Sequence, residues 1–236
     1  NRLEDGTLVE LPAKHVDTGA GLERIAAVMQ GKDSNYDTDL FQPVILAIQE
    51  KAKSDYKNNP IPHRVIADHI RMLCFSIADG ALPSNDGRGY VLRRILRRAS
   101  RFGRSLGLED PFMFELVSIL IETMGENFPE INEKKTHIEK VIRAEETSFN
   151  DTLDRGLNHF EKIINQDGVV DISGEDAFKL YDTYGFPLDL TQLMAREKNL
   201  NVDEEGFHDC MRKQKEKAKS SGKFKISSEP LEWISV

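Results

Sequence analysis

Cysteine is nearly absent. Cys74 and Cys210 are the only two in 236 residues, with no Cys-x-x-Cys pair and no cysteine/histidine cluster at metal-ligating spacing. That spacing excludes a disulfide framework and leaves no metal site legible in this sequence. No apolar run approaches the roughly 20 residues of a membrane span, and the amino-terminal stretch lacks a signal-peptide pattern. The expectation is therefore a soluble, cytoplasmic protein in a reducing setting, with no membrane partner. Internal repeats and low-complexity tracts are missing too, while 39% hydrophobic content at this length supports a real core in one or two domains. The sequence starts at Asn1 rather than methionine and stops at Val236 inside an apolar stretch, so a piece of a longer polypeptide is expected.

One segment lacks acid altogether. Between Gly87 and Leu108 there are seven arginines and no Asp or Glu, in a chain of net charge −8. At about 100° per residue, Arg93, Arg94, Arg97, Arg98, Arg101 and Arg104 fall on one arc of a helix. Val91, Leu92, Ile95, Leu96, Ala99 and Phe102 fall on the other. Guanidiniums on one arc repel one another, and the phosphates of a nucleic-acid strand would neutralise several at once. RNA or another polyphosphate is the preferred partner. The competing reading is a face paired with acids from elsewhere in the chain.

The rest of the chain reads as helical. Amphipathic spacing predicts helices over residues 21–30, 38–53, 63–80, 111–125 and 133–164, and again over 189–198. Leu8 to Val16 has β-branched ends and suggests a short strand, which Pro12 confines to an edge or bend. Gly80 to Gly89 is turn chemistry throughout and leads into the arginine helix. Asp167 to Ile172 is a turn with at most a very short strand, Ser173 with Asp176 resembles an N-cap, and Tyr181 to Leu188 reads as an aromatic loop. Arg212 to Lys225 carries seven Lys or Arg against one Glu, by default a solvated helix tail and linker.

Val16-Asp-Thr-Gly-Ala-Gly-Leu-Glu-Arg24 lies where the expected strand meets a helix. Two glycines there let a ligand approach the backbone, and the helix start offers free N–H groups to an anion. Asp17 suits an amine and Arg24 a phosphate. On these residues alone, a plain turn and a ligand site are equally good readings. Likewise, taken alone, Asn85 reads as an Asx-turn residue and Asp182 as a cap within its loop. His63 and His69 read as capping or packing residues, and Tyr181, Tyr184 and Phe186 as core.

Four strings in order carry a resemblance that covers nearly the whole chain: Asp17-Thr-Gly-Ala-Gly-Leu-Glu-Arg24, Arg64-Val-Ile-Ala-Asp-His-Ile-Arg71, Leu82-Pro-Ser-Asn-Asp-Gly-Arg-Gly-Tyr-Val-Leu-Arg-Arg94 and Leu180-Tyr-Asp-Thr-Tyr-Gly-Phe-Pro187. Together they resemble the bacterial alanyl-tRNA synthetases of class II. The resemblance implies a mainly α fold, a helical bundle preceded by a short strand and helix remaining from an antiparallel-sheet catalytic domain. Residues 1–57 would be the end of that catalytic domain with its third signature motif, 58–220 the helical tRNA-recognition domain, and 221–236 a linker toward a following domain.

It also implies roles. Asp17 would hold the ammonium of alanine and Gly19 would line a pocket sized for a methyl group, while Gly21 and Arg24 would bind ATP. Asn85 and Asp182 would bracket the G·U pair of the alanine tRNA acceptor stem, with the Asn85 carbonyl oxygen accepting from the guanine 2-amino group. Arg93, Arg94, Arg97, Arg98 and Arg101 would track the RNA backbone. ATP with Mg2+ would serve the parent enzyme, and zinc would belong only to an editing domain outside this sequence. The first two class II motifs cannot be found, so the chain is expected not to activate alanine alone, and no residue is assigned as catalytic. Ala20 stands where relatives often have Met. Two other readings stay open: a non-catalytic RNA-binding helical module, and a structural domain whose arginines pair internally. Oligomeric state stays open as well.

Overall fold

The structure, a computed structural model, describes residues 3, 5–10, 12–13, 19–165 and 170–221. It is mainly α, as the periodicity predicts. The order is α1 Leu22–Met29, a 3-10 turn Asn35–Asp37, α2 Gln42–Ala52, α3 Pro60–Ala78, α4 Gly87–Ser105, α5 Met113–Met124, α6 Pro129–Glu133 and α7 Lys135–Ile164. Then come β1 Asp171–Ile172, α8 Gly174–Tyr184, α9 Leu188–Glu197, β2 Asn201–Val202 and α10 Glu204–Ser221. The two strands form a parallel pair, Asp171 opposite Asn201 and Ile172 opposite Val202. Of the expected strand over 8–16, Leu8 makes a single bridge, and residues 11 and 14–16 lie outside the described residues.

Local chemistry sets the ends that matter for function. Pro60 occupies the first turn of α3, where its missing N–H costs nothing. Gly89 is needed in α4 because a Cβ there would lie 2.2 Å from the Leu82 carbonyl oxygen, so the preceding turn folds against the helix start. Ser173 caps α8, its Oγ accepting from the Asp176 N–H at 3.1 Å. Gly185 ends that helix at φ +71°, its N–H donating to the Tyr181 carbonyl. Between those two stops the helix runs through Tyr184, so Asp182 stands on a helix and not in the loop that the aromatic composition suggests.

Burial divides into two apolar clusters. One joins α2, α3, α4 and α5 to the first half of α7 through Ile45, Ile70, Leu96, Leu116, Ile138 and Ile142. The other joins the second half of α7 to α8, α9 and α10 through Phe149, Phe160, Leu180, Phe186, Leu190 and Phe207. Helix α7 therefore belongs to both. It passes Phe186 so closely that Gly156 is required: a Cβ there would sit 2.2 Å from the Phe186 ring.

Candidate functional site

The arginine helix buries Leu92, Leu96, Ala99 and Phe102 and carries its charge on the opposite arc, as its spacing predicts, but Val91, expected on the packed arc, is exposed and Ile95 is only half-buried. The structure gives these arginines the partners that the competing reading expected, acids from elsewhere in the chain. No carboxylate lies near them in sequence, but α7 and α9 bring carboxylates across. Glu145 accepts from Arg97 at Nε (3.0 Å) and Nη2 (2.8 Å) and lies 3.0 Å from Arg93 Nε. Asp189 serves Arg94 at 3.1 Å and Arg98 at 3.2 Å, Glu197 takes Arg101 at 2.8 Å, and Asp154 takes Arg104 at 3.1 Å. Burial pulls the Arg97 guanidinium below its ordinary pKa, opposed by the charge and hydrogen bonds of Glu145. Arg97 also donates to the Gly185 carbonyl, which ties α4 to the end of α8.

Asn85 and Asp182, far apart in sequence, line one cleft of about 370 Å³ with Tyr90, Arg93, Arg97, Tyr181 and Gln214. Both side chains are exposed and both have a partner. Arg93 donates to Asn85 Oδ1, and Gln214 donates its amide to Asp182 Oδ1. An arginine donor requires oxygen on that side of the Asn85 amide. The second lone pair of Oδ1 and the amide nitrogen of Asn85 are what an incoming group would meet, together with the second carboxylate oxygen of Asp182. Tyr181 and Tyr184 are half-buried and pack against the second core, as expected of them.

Glu145 and Gln214 escaped the sequence reading. Glu145 stands three residues after Ile142 and four before Phe149, so an acid on the apolar stripe of α7 was the available signal. Gln214 gave none, lying in a polar helix among lysines. His63 is fully buried, with Nδ1 2.8 Å from the Asn59 carbonyl and Nε2 3.0 Å from that of Ser54, a packing and bridging role as predicted.

A second cleft, about 450 Å³, gathers Gly19, Ala20, Gly21 and Arg24 with Asn35, Tyr36, Asp68 and Arg71. Asp17 lies outside the described residues. Gly21 has φ +76°, a conformation that favours glycine, and starts α1. A Cβ at Gly19 would meet nothing within 4 Å, so the space beside it is open. Arg24 is exposed and no carboxylate among the described residues pairs with it. Arg71, in contrast, pairs with Glu23 and lies 4.7 Å over the Phe41 ring, which fixes α1 to α3. The hydrogen bond from Arg71 holds the Glu23 carboxyl below the usual range. Among the described residues no group of three His, Cys, Asp or Glu could hold a metal ion, and no helix is long and apolar enough to cross a membrane.

Comparison with known proteins adds to this geometry. Residues 1–232 match the family described as tRNA synthetases class II (A). An alanine–tRNA ligase of Chlorobaculum tepidum is 51% identical over 99% of the chain and 28% of its own length. One of Francisella philomiragia is 54% identical over 96% of the chain and 26% of its own, and one of Fervidobacterium nodosum 49% over 92% and 25%. The chain thus spans about a quarter of the length of the curated relatives it matches.

Proposed function

The chain belongs to the class II (A) family of tRNA synthetases, and from that premise we propose that it is the part of an alanine–tRNA ligase that recognises the acceptor stem of alanine tRNA and completes the ATP and alanine sites. The carrying observation is the shared cleft of Asn85 and Asp182. Two residues from distant parts of the sequence converge on one polar opening, flanked by guanidiniums, with unused acceptor capacity on both.

A G·U wobble pair presents its guanine 2-amino group unpaired in the shallow minor groove of an RNA helix. The free lone pair of Asn85 Oδ1 accepts from that amine without displacing Arg93, whose bond holds the amide in the receptive orientation. Asp182 approaches from the other wall, where a carboxylate is excluded from phosphates by its charge and directed to the bases. Phosphates of the stem would compete with Glu145 and Asp189 for Arg93, Arg94, Arg97 and Arg98, and with Glu197 for Arg101. Each contact then exchanges an internal ion pair for an RNA one, so these arginines supply less salt-sensitive affinity than free ones would.

At the other cleft, Gly21 opens the start of α1 to a ligand and the unpaired Arg24 takes a phosphate of ATP. Asp17 and Gly19 are assigned to alanine, with remaining walls supplied from beyond the described residues. Mg2+ would accompany ATP in the parent enzyme. The domain assignment given above, 1–57, 58–220 and 221–236, and a cytoplasmic location belong to the same proposal. The internally paired arginines favour one other reading, a helical module in which they serve structure only.

The deciding experiment measures binding of the chain to an acceptor-stem duplex bearing G·U against one bearing G·C, over a salt series, with Asn85→Ala and Asp182→Ala. A preference of about 1–3 kcal/mol for G·U, erased by either substitution, is the expected result. Equal binding of both duplexes sinks the recognition role, and no binding at all leaves the structural reading.

A further inference from the structure

The stretch Arg64 to Arg71 on α3 has no role in the function above, yet it begins with an arginine held unusually firmly. The Arg64 guanidinium carbon lies 5.4 Å from the centroid of the Tyr36 ring and 5.5 Å from that of Tyr56. Its Nε donates to the Tyr56 hydroxyl at 2.9 Å, and that hydroxyl donates in turn to Asp37 Oδ1 at 2.9 Å. Two rings and one hydrogen bond thus fix the plane of the guanidinium and use its Nε, leaving the two terminal nitrogens with no partner among the described residues.

That distinguishes Arg64 from the arginines on the charged arc of α4, each of which has a carboxylate. Arg64 faces a cleft of about 550 Å³ lined also by Gly31, Lys32, Asp33, Gln42 and Lys57. Lys32 and Lys57 are exposed and form no ion pair among the described residues. The cleft thus offers three cations, Arg64, Lys32 and Lys57, against two carboxylates, Asp33 and Asp37, the second of which also accepts from the Tyr56 hydroxyl.

We infer that Arg64, with Lys32 and Lys57, forms a phosphate-binding site separate from the Asn85–Asp182 cleft. The terminal nitrogens form a planar fork that matches two oxygens of a phosphate, while the ammoniums reach its remaining oxygens as point charges. Holding the fork between aromatic rings removes rotamer freedom before the ligand arrives, which raises affinity without any added contact. A phosphate reaches this cleft from one of two sources, a free phosphate or nucleotide, or the phosphodiester backbone of an RNA strand.

The test titrates the 236-residue chain with inorganic phosphate and, separately, with a short single-stranded oligoribonucleotide, following the arginine Nε–H resonances. Saturable binding is expected, with the Arg64 signal shifting and affinity falling at least about five-fold in Lys57→Ala and in Arg64→Lys. Lys57 is a surface residue, so its variant keeps the test sound if replacing Arg64 disturbs the fold. Asn85→Ala should leave phosphate affinity unchanged, which separates this site from the one proposed for the acceptor stem. A loss seen only with the oligoribonucleotide supports the site with a strand as the source, and a loss seen with inorganic phosphate supports a free one. Unchanged affinity for both probes in both variants, or no saturable binding of either, overturns the inference.

Discussion

Glu145 on α7 accepts two hydrogen bonds from Arg97 on α4, at 3.0 and 2.8 Å, with the carboxylate and the guanidinium both largely hidden from water. The same carboxylate neutralises Arg93, which holds Asn85. Three side chains, two on α4 and one in the turn before it, are thereby set by one acid on α7.

Replacing that acid tests both of its effects. Glu145→Gln should cost about 1–3 kcal/mol in urea unfolding, below the full price of breaking a deeply buried pair because water still reaches both partners. It should also free Arg93 and Arg97 for phosphates, steepening the dependence of acceptor-stem affinity on salt by about one to two units of log–log slope. A variant that unfolds like the parent and keeps its salt slope would show that Glu145 governs neither.

A second acid, one residue along, behaves differently. Glu146 is fully buried; its Oε2 accepts from the backbone N–H groups of Phe112 at 3.2 Å and Met113 at 3.1 Å, and its Oε1 has no partner among the described residues. Burial pushes its carboxyl up to about 7, against those two hydrogen bonds. A group whose folded pKa exceeds its unfolded value near 4.5 keeps its proton longer in the folded state, so its contribution to stability is full below that value and is lost as pH rises toward 7. The loss amounts to at most about 3 kcal/mol. Urea midpoints at about pH 5 and about pH 8 should therefore differ in the parent by more than in Glu146→Gln. An equal difference in the two would place the pH dependence elsewhere.

The two thiols should differ in reactivity. Cys74 is buried in the first core and burial pushes its thiol up to about 12, with Glu139 adding to the rise, whereas Cys210 is half-exposed on α10. At mildly alkaline pH a thiol reagent should modify one equivalent rapidly, and Cys210→Ser should abolish that phase. Rapid labelling of Cys74 in the folded chain would mean that α3 opens readily.

Gly156→Ala should be costly. The added methyl would overlap the Phe186 ring, a fully buried side chain, and overpacking of this kind destabilises by about 1–3 kcal/mol. Pairing it with Phe186→Leu should recover part of the loss, because the ring edge is what obstructs the methyl. No recovery would locate the strain in the backbone instead.

Much of this was legible in the sequence because helical periodicity and capping are local. The apolar arc of α4, the Ser173 cap and the brief strand at Ile172 all follow from neighbours within a few residues. What escaped is long-range. Nothing near Arg93 or Arg97 in sequence announces Glu145, and nothing near Asp182 announces Gln214, because those pairings exist only once α7 and α10 have packed. The helix through Tyr181–Tyr184, where the aromatic composition suggests a loop, has a local cause: the Ser173 cap upstream and the left-handed Gly185 downstream carry the helix through them.

Helix α7 spans 30 residues, roughly 45 Å of continuous backbone, and lends its first half to one core and its second half to the other. Neither core can melt without releasing a face of the same rod, so thermal unfolding should proceed as one transition despite two separate apolar interiors. A break in the middle of that rod would uncouple them, leaving the acid that sets Arg93 and Arg97 on one fragment and the partners of Phe186 on the other.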